Sequence, residues 1–282
     1  MILKTTHKIV IATAASKVVL LARRLVGLGS MVNTERMGIQ WCLDLREGID
    51  FSIYLLGSFE PGTVRAYKRL VRPGDTVIDI GANIGAHTLP LAQLVGPSGR
   101  VVAFEPTVFA FQKLHQNMML NPELASRILA LQHVLVAEGN ATVPPELFSS
   151  WPLQVEERLH AKHKGRSMTT EGASAMTFDD AIGKLDLKRI SFIKIDVDGH
   201  ELPVLRGGIQ TIRRFRPTIL IELSPYVHEE EGYDFADLVM LLVECGYRFR
   251  DANTGQELPS DPTQLRTMIP DGACINAIAF GI

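Results

Sequence analysis

The sequence predicts an α/β fold built on an open, mainly parallel sheet, and three observations carry that prediction. Apolar runs of strand length alternate with helical stretches from Thr76 onward. The run Val77-Ile78-Asp79-Ile80 ends in a glycine corner, Gly81-Ala82-Asn83-Ile84-Gly85, that leads into a helical stretch. A second run, Val101-Val102-Ala103-Phe104, ends in Glu105-Pro106. Continuous apolar character suits parallel strands covered on both faces, and the crossovers between such strands are right-handed.

Taken in order, Ile9 to Val32 is rich in apolar residues but interrupted by Lys17, Arg23 and Arg24. Its uncharged runs fall short of the ~20 residues that span a bilayer. The stripe reads as an amphipathic helix docked on the domain or on a partner. Peripheral membrane contact is one alternative. A signal sequence is another, since Ile9 to Ser16 just meets the length of an apolar h-region. Ile39 to Leu56 reads as a short hairpin or strand pair, so residues 1–56 form a helical and hairpin extension and 57–282 the main domain.

Gly57 to Gly62 breaks the chain, and Val64 to Val71 shows helical spacing up to the turn Arg72-Pro73-Gly74-Asp75. Thr76 to Ile80 is the first core strand, Ala86 to Leu94 a helix, Val101 to Phe104 the second strand and Phe109 to Leu120 the second helix. Ile128 to Val136 supplies a third strand. Residues 139–172, with Pro144-Pro145 and the basic run His160 to Arg166, read as a surface insertion. A helix begins over Phe178 to Ile182. Ser191 to Val197 is a strand, Leu202 to Arg214 a helix, Thr218 to Leu223 a strand and Phe235 to Cys245 a helix. Tyr247 to Asp251 and Ile275 to Phe280 close the fold as a strand pair.

Composition narrows the function classes. Hydrophobic residues make up 46% and charged residues 21%, enough apolar material for one core. A net charge of -2 argues against a general nucleic-acid footprint, which needs a basic excess. Cys42, Cys245 and Cys274 form no C-x-x-C pair, so zinc and a disulfide framework are not expected, and a reducing, cytoplasmic setting fits.

The chemistry-bearing residues cluster at strand ends, where open α/β sheets bind nucleoside-bearing ligands. Gly81 and Gly85 let backbone approach a ligand closely. Glu105, 24 residues after Gly81, sits near the spacing at which a carboxylate accepts from ribose hydroxyls. The glycines are spaced G-x-x-x-G with Asn83 between them and Asp79 two positions before. That departs from the dinucleotide G-x-G-x-x-G and matches the D-x-G-x-[GN]-x-G of S-adenosylmethionine (SAM) enzymes. A cationic ligand tolerates Asp79 and Glu105, whereas a pyrophosphate prefers bare helix-terminus amides. The second cluster is Lys194-Ile195-Asp196-Val197-Asp198-Gly199-His200-Glu201. Asp196 is expected to be catalytic, facing both the ligand and the methyl acceptor, and His200 to serve as general base; more blandly, Asp196 only orients backbone and His200 begins a helix. Lys194 is expected to pair with Asp79 or Glu222, since a lone buried ammonium is costly. Asp196, Asp198, His200 and Glu222 have metal-ligand composition without metal-motif spacing, and no metal is expected. Glu60 reads either as folding over the ligand pocket or as a solvated turn residue. The basic run His160 to Arg166 reads as a solvated loop or as a contact for an anionic acceptor.

These residues, with Leu114, Asn117, Asn121, Phe178-Asp179-Asp180 and Val204-Leu205-Arg206-Gly207-Gly208, resemble the FkbM family of SAM-dependent methyltransferases from about Glu60 to Glu222. The resemblance implies a Rossmann-like class I fold, a mainly parallel seven-stranded sheet with an antiparallel C-terminal strand. It implies SAM over Gly81, Ala82, Asn83 and Gly85, with Asp79, Glu105, Pro106 and Asp196 around it. It further implies methyl transfer to a hydroxyl of a sugar, polyketide or similar small-molecule acceptor. The chain departs from the family's D-V-E-G-A-E at Asp198 and His200. A nicotinamide-dependent oxidoreductase and a non-catalytic SAM-fold partner subunit are the alternatives, and an oligomer is compatible with either.

Overall fold

A computed structural model of the chain describes residues 5–149, 152, 153 and 165–281. The N-terminal part runs α1 (Thr5–Leu25), β1 (Met31–Arg36), β2 (Ile39–Asp44), α2 (Gly48–Leu56) and α3 (Pro61–Leu70). There follow β3 (Thr76–Ile80), α4 (Thr88–Val95), β4 (Arg100–Phe104), α5 (Val108–Met119), α6 (Pro122–Ala125) and β5 (Ile128–Leu131). A less regular stretch contains β6 (His133–Val136), β7 (Glu146–Ser149), β8 (Arg166–Thr169) and β9 (Ser174–Thr177). The chain returns through α7 (Phe178–Gly183), β10 (Phe192–Ile195), α8 (Glu201–Arg206), α9 (Ile209–Phe215) and β11 (Thr218–Leu223). It ends with α10 (Pro225–Glu230), α11 (Phe235–Glu244), β12 (Tyr247–Asp251), β13 (Glu257–Leu258), α12 (Pro262–Met268) and β14 (Ile275–Gly281).

The main sheet has the order β13-β12-β14-β11-β10-β3-β4-β5. Strands β5, β4, β3, β10 and β11 run parallel to one another. The C-terminal β14 inserts antiparallel between β11 and β12. The expected seven strands are therefore present, in a Rossmann-like α/β sheet, and β13 adds a two-residue edge.

Both faces of the central strands are buried, which explains their unbroken apolar character. Ile78, Ile80, Phe104, Ile193 and Ile195 pack with Phe178, Leu205 and Leu238 on one face. Val77, Val101 and Phe192 pack with Tyr67, Leu91 and Val95 on the other.

Three expectations are corrected. Ile128 to Val136 is not one strand, because the chain breaks at Gln132, whose side chain donates to the carbonyls of Pro106 and Glu171 at 3.3 and 3.0 Å. Beyond the break β6 leaves the sheet and pairs with β9. Leu202 to Arg214 is two helices. The Asp179 carboxylate accepts from the amides of Gln210 and Thr211 at 3.1 and 2.7 Å, satisfying the first turn of α9 as a separate helix. Ile39 to Leu56 is strand then helix, and β2 pairs with the unpredicted β1. Of the 139–172 insertion, β7 and β8 form an antiparallel hairpin, while residues 160–164 of the basic run lie outside the described residues.

The N-terminal extension shares the core of the main domain. Trp41 and Leu43 from β2 pack with Ala82, Ile84, Leu89 and Leu114, under the glycine corner. Asn117 ties the two together: its Oδ1 accepts from Cys42 N–H at 3.0 Å and its Nδ2 donates to Ile84 O at 3.0 Å. Asn121 does the same one turn later, with Gln40 N–H at 2.9 Å and Gln40 O at 2.7 Å. Asn117→Ala strands a buried donor and a buried acceptor, at about 1–3 kcal/mol each. Urea denaturation should show a loss on the order of 2–4 kcal/mol in one cooperative transition; a separate early transition for residues 31–56 would contradict the shared core.

Candidate active site

The chain order reverses between β3 and β10, which puts a crevice at their carboxyl ends. Asp79 and Lys194 are direct cross-strand neighbours on one face. The Lys194 Nζ lies 3.6 Å from Asp79 Oδ1 and 3.2 Å from Asp196 Oδ2. The Thr88 hydroxyl donates to Asp79 Oδ2 at 2.6 Å. Burial alone would push the lysine pKa down, but the carboxylates of Asp196 and Asp79 outweigh it and keep the ammonium above its ordinary value. Glu222, the other expected partner, is engaged instead by the Cys274 thiol.

Above this pair the glycine corner is built from backbone bonds. The amides of Gly81 and Ala82 both donate to Phe104 O, at 3.0 and 2.9 Å. Gly81 has φ +80, and a Cβ there would lie 1.9 Å from the carbonyl oxygen of Asp196, so only glycine closes β3 against β10. Asn83 is left-handed, with φ 48. Its N–H donates to Glu105 Oε2 at 2.9 Å, its Oδ1 accepts from Ile84 N–H at 2.9 Å, and its Nδ2 donates to Ser149 Oγ at 3.1 Å. Glu105 Oε1 accepts from the amide and hydroxyl of Thr107 at 3.0 and 2.6 Å. One lone pair of Oε2 thus remains for a further donor.

Two cavities meet here. The first, about 610 Å³, opens over Gly81, Asn83, Pro106, Asp196, Asp198 and His200. One wall is apolar, from Phe104, Leu135 and Pro203, and Leu147, Phe148 and Ser149 of β7 cover it. The insertion expected to be a surface feature is, in its described part, a wall of the cleft. The second cavity, about 540 Å³, has Glu60, Glu222 and Asn276 at its polar end. Asp198 lines both.

The predicted residues thus fall into three groups. Gly81, Asn83, Pro106, Asp196 and His200 reach the first cavity. Asp79, Ala82 and Glu105 are buried beneath it, and Gly85 packs against Leu114. Glu60 lines the second cavity, where its Oε2 accepts from Thr63 Oγ1 at 2.8 Å and Asn276 Nδ2 at 3.2 Å. Sequence reasoning missed Asn276, the β7 cover and the shared position of Asp198. Only the last had a local signal, the Asp198-Gly199 turn dipeptide, whose residues take φ 49 and 100.

Electrostatics sharpen the picture. Burial, then the charges of Asp196 and Glu201, push the Asp198 carboxyl well above its ordinary range, although solvent still reaches the side chain through the clefts. Burial, then Asp196 and Glu60, do the same to Glu222. Burial lowers the His200 pKa against the opposing pull of Glu231, whose Oε2 lies 3.7 Å from Nε2. The imidazole is therefore neutral at pH 7.

Behind this wall sits a buried acid–imidazole pair. His228 Nδ1 contacts Gly199 O at 3.1 Å and must donate to it, which leaves Nε2 an acceptor 3.4 Å from Glu201 Oε2. Burial raises Glu201 to about 7 and lowers His228 to about 4. Burial thus favours the uncharged form of each, and near pH 7 Glu201 passes between its neutral and ionised forms beside a neutral His228. Glu201 Oε1 also accepts from Val197 N–H at 3.0 Å. The two residues hold both ends of the Asp198 turn.

Comparison with known proteins adds to this geometry. A family model described as "Methyltransferase FkbM domain" matches residues 79–249. The hexuronic acid methyltransferase AglP of Haloferax volcanii is 24% identical over 189 residues, covering 66% of this chain and 69% of that protein. Methyltransferase 1 of Beauveria bassiana is 31% identical over 191 residues, covering 62% and 73%. Among solved structures, methyltransferase FkbM of Methylobacillus flagellatus is 17% identical, with a TM-score of 0.43 over 83% of this chain and 56% of that one.

Glu201 makes stability pH-dependent. A raised folded-state pKa favours the fold below the ordinary value of 4.5, and that contribution is lost as pH rises through about 7. The interval corresponds to about 3 kcal/mol. His228, lowered, acts in the opposite sense, its contribution being lost as pH falls through about 4. Between pH 4.5 and 6.5 the two contributions offset, so the wild-type denaturation midpoint should change little there, whereas in Glu201→Gln, with only His228 left, it should rise with pH; parallel curves would show that Glu201 titrates normally.

Proposed function

The chain belongs to the FkbM methyltransferase domain family, and we propose that it transfers the methyl group of SAM to a hydroxyl oxygen of a sugar, polyketide or comparable small metabolite. The observation that carries this reading is Asp198, a left-handed residue on the wall between two cavities at the carboxyl ends of β3 and β10.

The first cavity fits the methyl donor. Its volume lies within the ~300–1,000 Å³ of small-molecule sites. Asp196 offers a carboxylate to a cationic ligand, and the Phe104–Leu135–Pro203 wall suits a flat apolar base. Asn83 reaches the cavity as the group for a ribose hydroxyl, with Glu105 Oε2 holding its amide from beneath. When bound, SAM supplies an electrophilic methyl group.

The chain's own residues then have separable roles. Lys194 fixes Asp196 and so the anionic end of the first cavity. Glu60 and Asn276, bonded to each other, present polar groups to an acceptor in the second. Asp198 accepts the proton of the acceptor hydroxyl, since its carboxyl faces both cavities whereas the predicted catalytic residues Asp196 and His200 line only the first. His200 faces only the first, and its neutral imidazole assists from that side. Holding the two reactants in line contributes the larger part of the rate. The sugar preference draws on the hexuronic acid methyltransferase among the relatives.

Calorimetry should give SAM binding with a Kd on the order of micromolar. Asp198→Asn should keep that affinity within a few fold and lower kcat/KM by about 10²–10⁴. His200→Ala should lower it less. Because only the carboxylate accepts a proton, kcat/KM should rise with pH along an acid limb lying above the ordinary carboxylate range. A folded protein that binds no SAM would end the proposal, and an unchanged Asp198→Asn rate would remove Asp198 from it.

A further inference from the structure

The second cavity is two-sided in chemistry. Its deep end holds Glu60, Asp198, Glu222 and Asn276. Its outer walls, by contrast, are aliphatic and aromatic: Ala12 and Ala15 of α1 face Phe51, Leu55 and Leu56 of α2. Ala12 and Ala15 pack against the core cluster that includes Phe51, and their small size leaves a slot beside that contact. Resting on the proposed transfer to a hydroxyl, we propose that the acceptor is amphipathic, a hydroxylated head group carrying a hydrocarbon chain. The head lies among the carboxyl groups at Asp198 and the chain runs out between α1 and α2.

Three observations favour a hydrocarbon over a second polar unit. Among the described residues, the slot offers its occupant no charged side chain between the Glu60 end and the mouth. Its mouth continues into side chains exposed on the same two helices, among them Ile11, Leu55 and Leu56, each more than half exposed. Helix α1, which lines the slot with Ala12 and Ala15, is also cationic: it carries Lys17, Arg23 and Arg24 and no acidic residue. An amphipathic acceptor held at an anionic lipid surface meets all three, and burial of each methylene would strengthen binding about fourfold.

The test uses the full-length protein and a series of n-alkyl β-D-glucopyranosides, methyl to octyl, below their micelle concentrations. Calorimetry should show affinity rising severalfold per added methylene until the slot is filled. Ala12→Trp, checked for folding by its melting curve, should remove the chain-length gain. An octyl glucoside with a diazirine at the chain end should label residues 9–15 and 51–56, a readout that needs no variant. Equal affinity for methyl and octyl glucosides would overturn the proposal. So would labelling confined to the outward residues Val18, Leu21 and Leu25, or a dimer buried on α1 that excludes the octyl chain. SAM binding is measured separately, so a protein that binds octyl glucoside but no SAM keeps this site and loses the methyl-transfer reading.

Discussion

The Lys194 ammonium, buried between Asp79 and Asp196, is the constraint from which the rest of the site follows. A charged lysine inside a sheet is tolerated only with compensating anions, and removing one partner of such a group typically costs about 3–5 kcal/mol. Here the anions come from the ends of two adjacent parallel strands, so pairing locks β3 and β10 in register where the chain order reverses. Closing them this tightly presses the Asp196 carbonyl onto position 81, which has to be glycine. From that glycine the chain turns through left-handed Asn83, whose amide reaches Glu105 at the end of β4. Three strand ends are thereby fixed as one rigid rim.

Strain gathers along this rim. Glu60, Asn83 and Asp198 are three of the non-glycine residues with positive φ, and each borders a cavity. Backbone in that region is held only when surroundings over-determine it, and it recurs where side chains must be aimed. Asp198 is the clearest case. Its turn is clamped on both sides by Glu201 and His228, through Val197 N–H and Gly199 O. Burial favours the uncharged forms of both clamp residues, which limits the charge they add beside Asp198, already next to Asp196.

Much of this was legible in the sequence, for identifiable reasons. Strands buried on both faces announce themselves as Val77–Ile80, Val101–Phe104 and Thr218–Leu223, and the glycine corner marks where the first of them meets a ligand crevice. Lys194 among isoleucines already demanded a carboxylate partner. What stayed hidden depends on contacts between distant segments. Nothing in Glu146–Ser149 signals that it will cover a cleft, and nothing local in Ile128–Val136 signals that Gln132 will divert the chain out of the sheet. Asn276 meets Glu60 across 216 positions of sequence, beyond any local pattern. The stretch Ile9 to Val32 read as an amphipathic helix; only the fold reveals that Ala12 and Ala15 both pack against the core and line a slot.

The central claim is that a methyl donor and a hydroxylated acceptor occupy adjoining cavities and meet at Asp198. A crystal structure of the protein with S-adenosylhomocysteine tests it most directly. The expected result is the ligand in the first cavity, between Asn83 and Asp196, with its sulfur end toward Asp198 and the second cavity left open beside it. Ligand bound in the second cavity instead, or a sulfur directed away from Asp198, would contradict the claim.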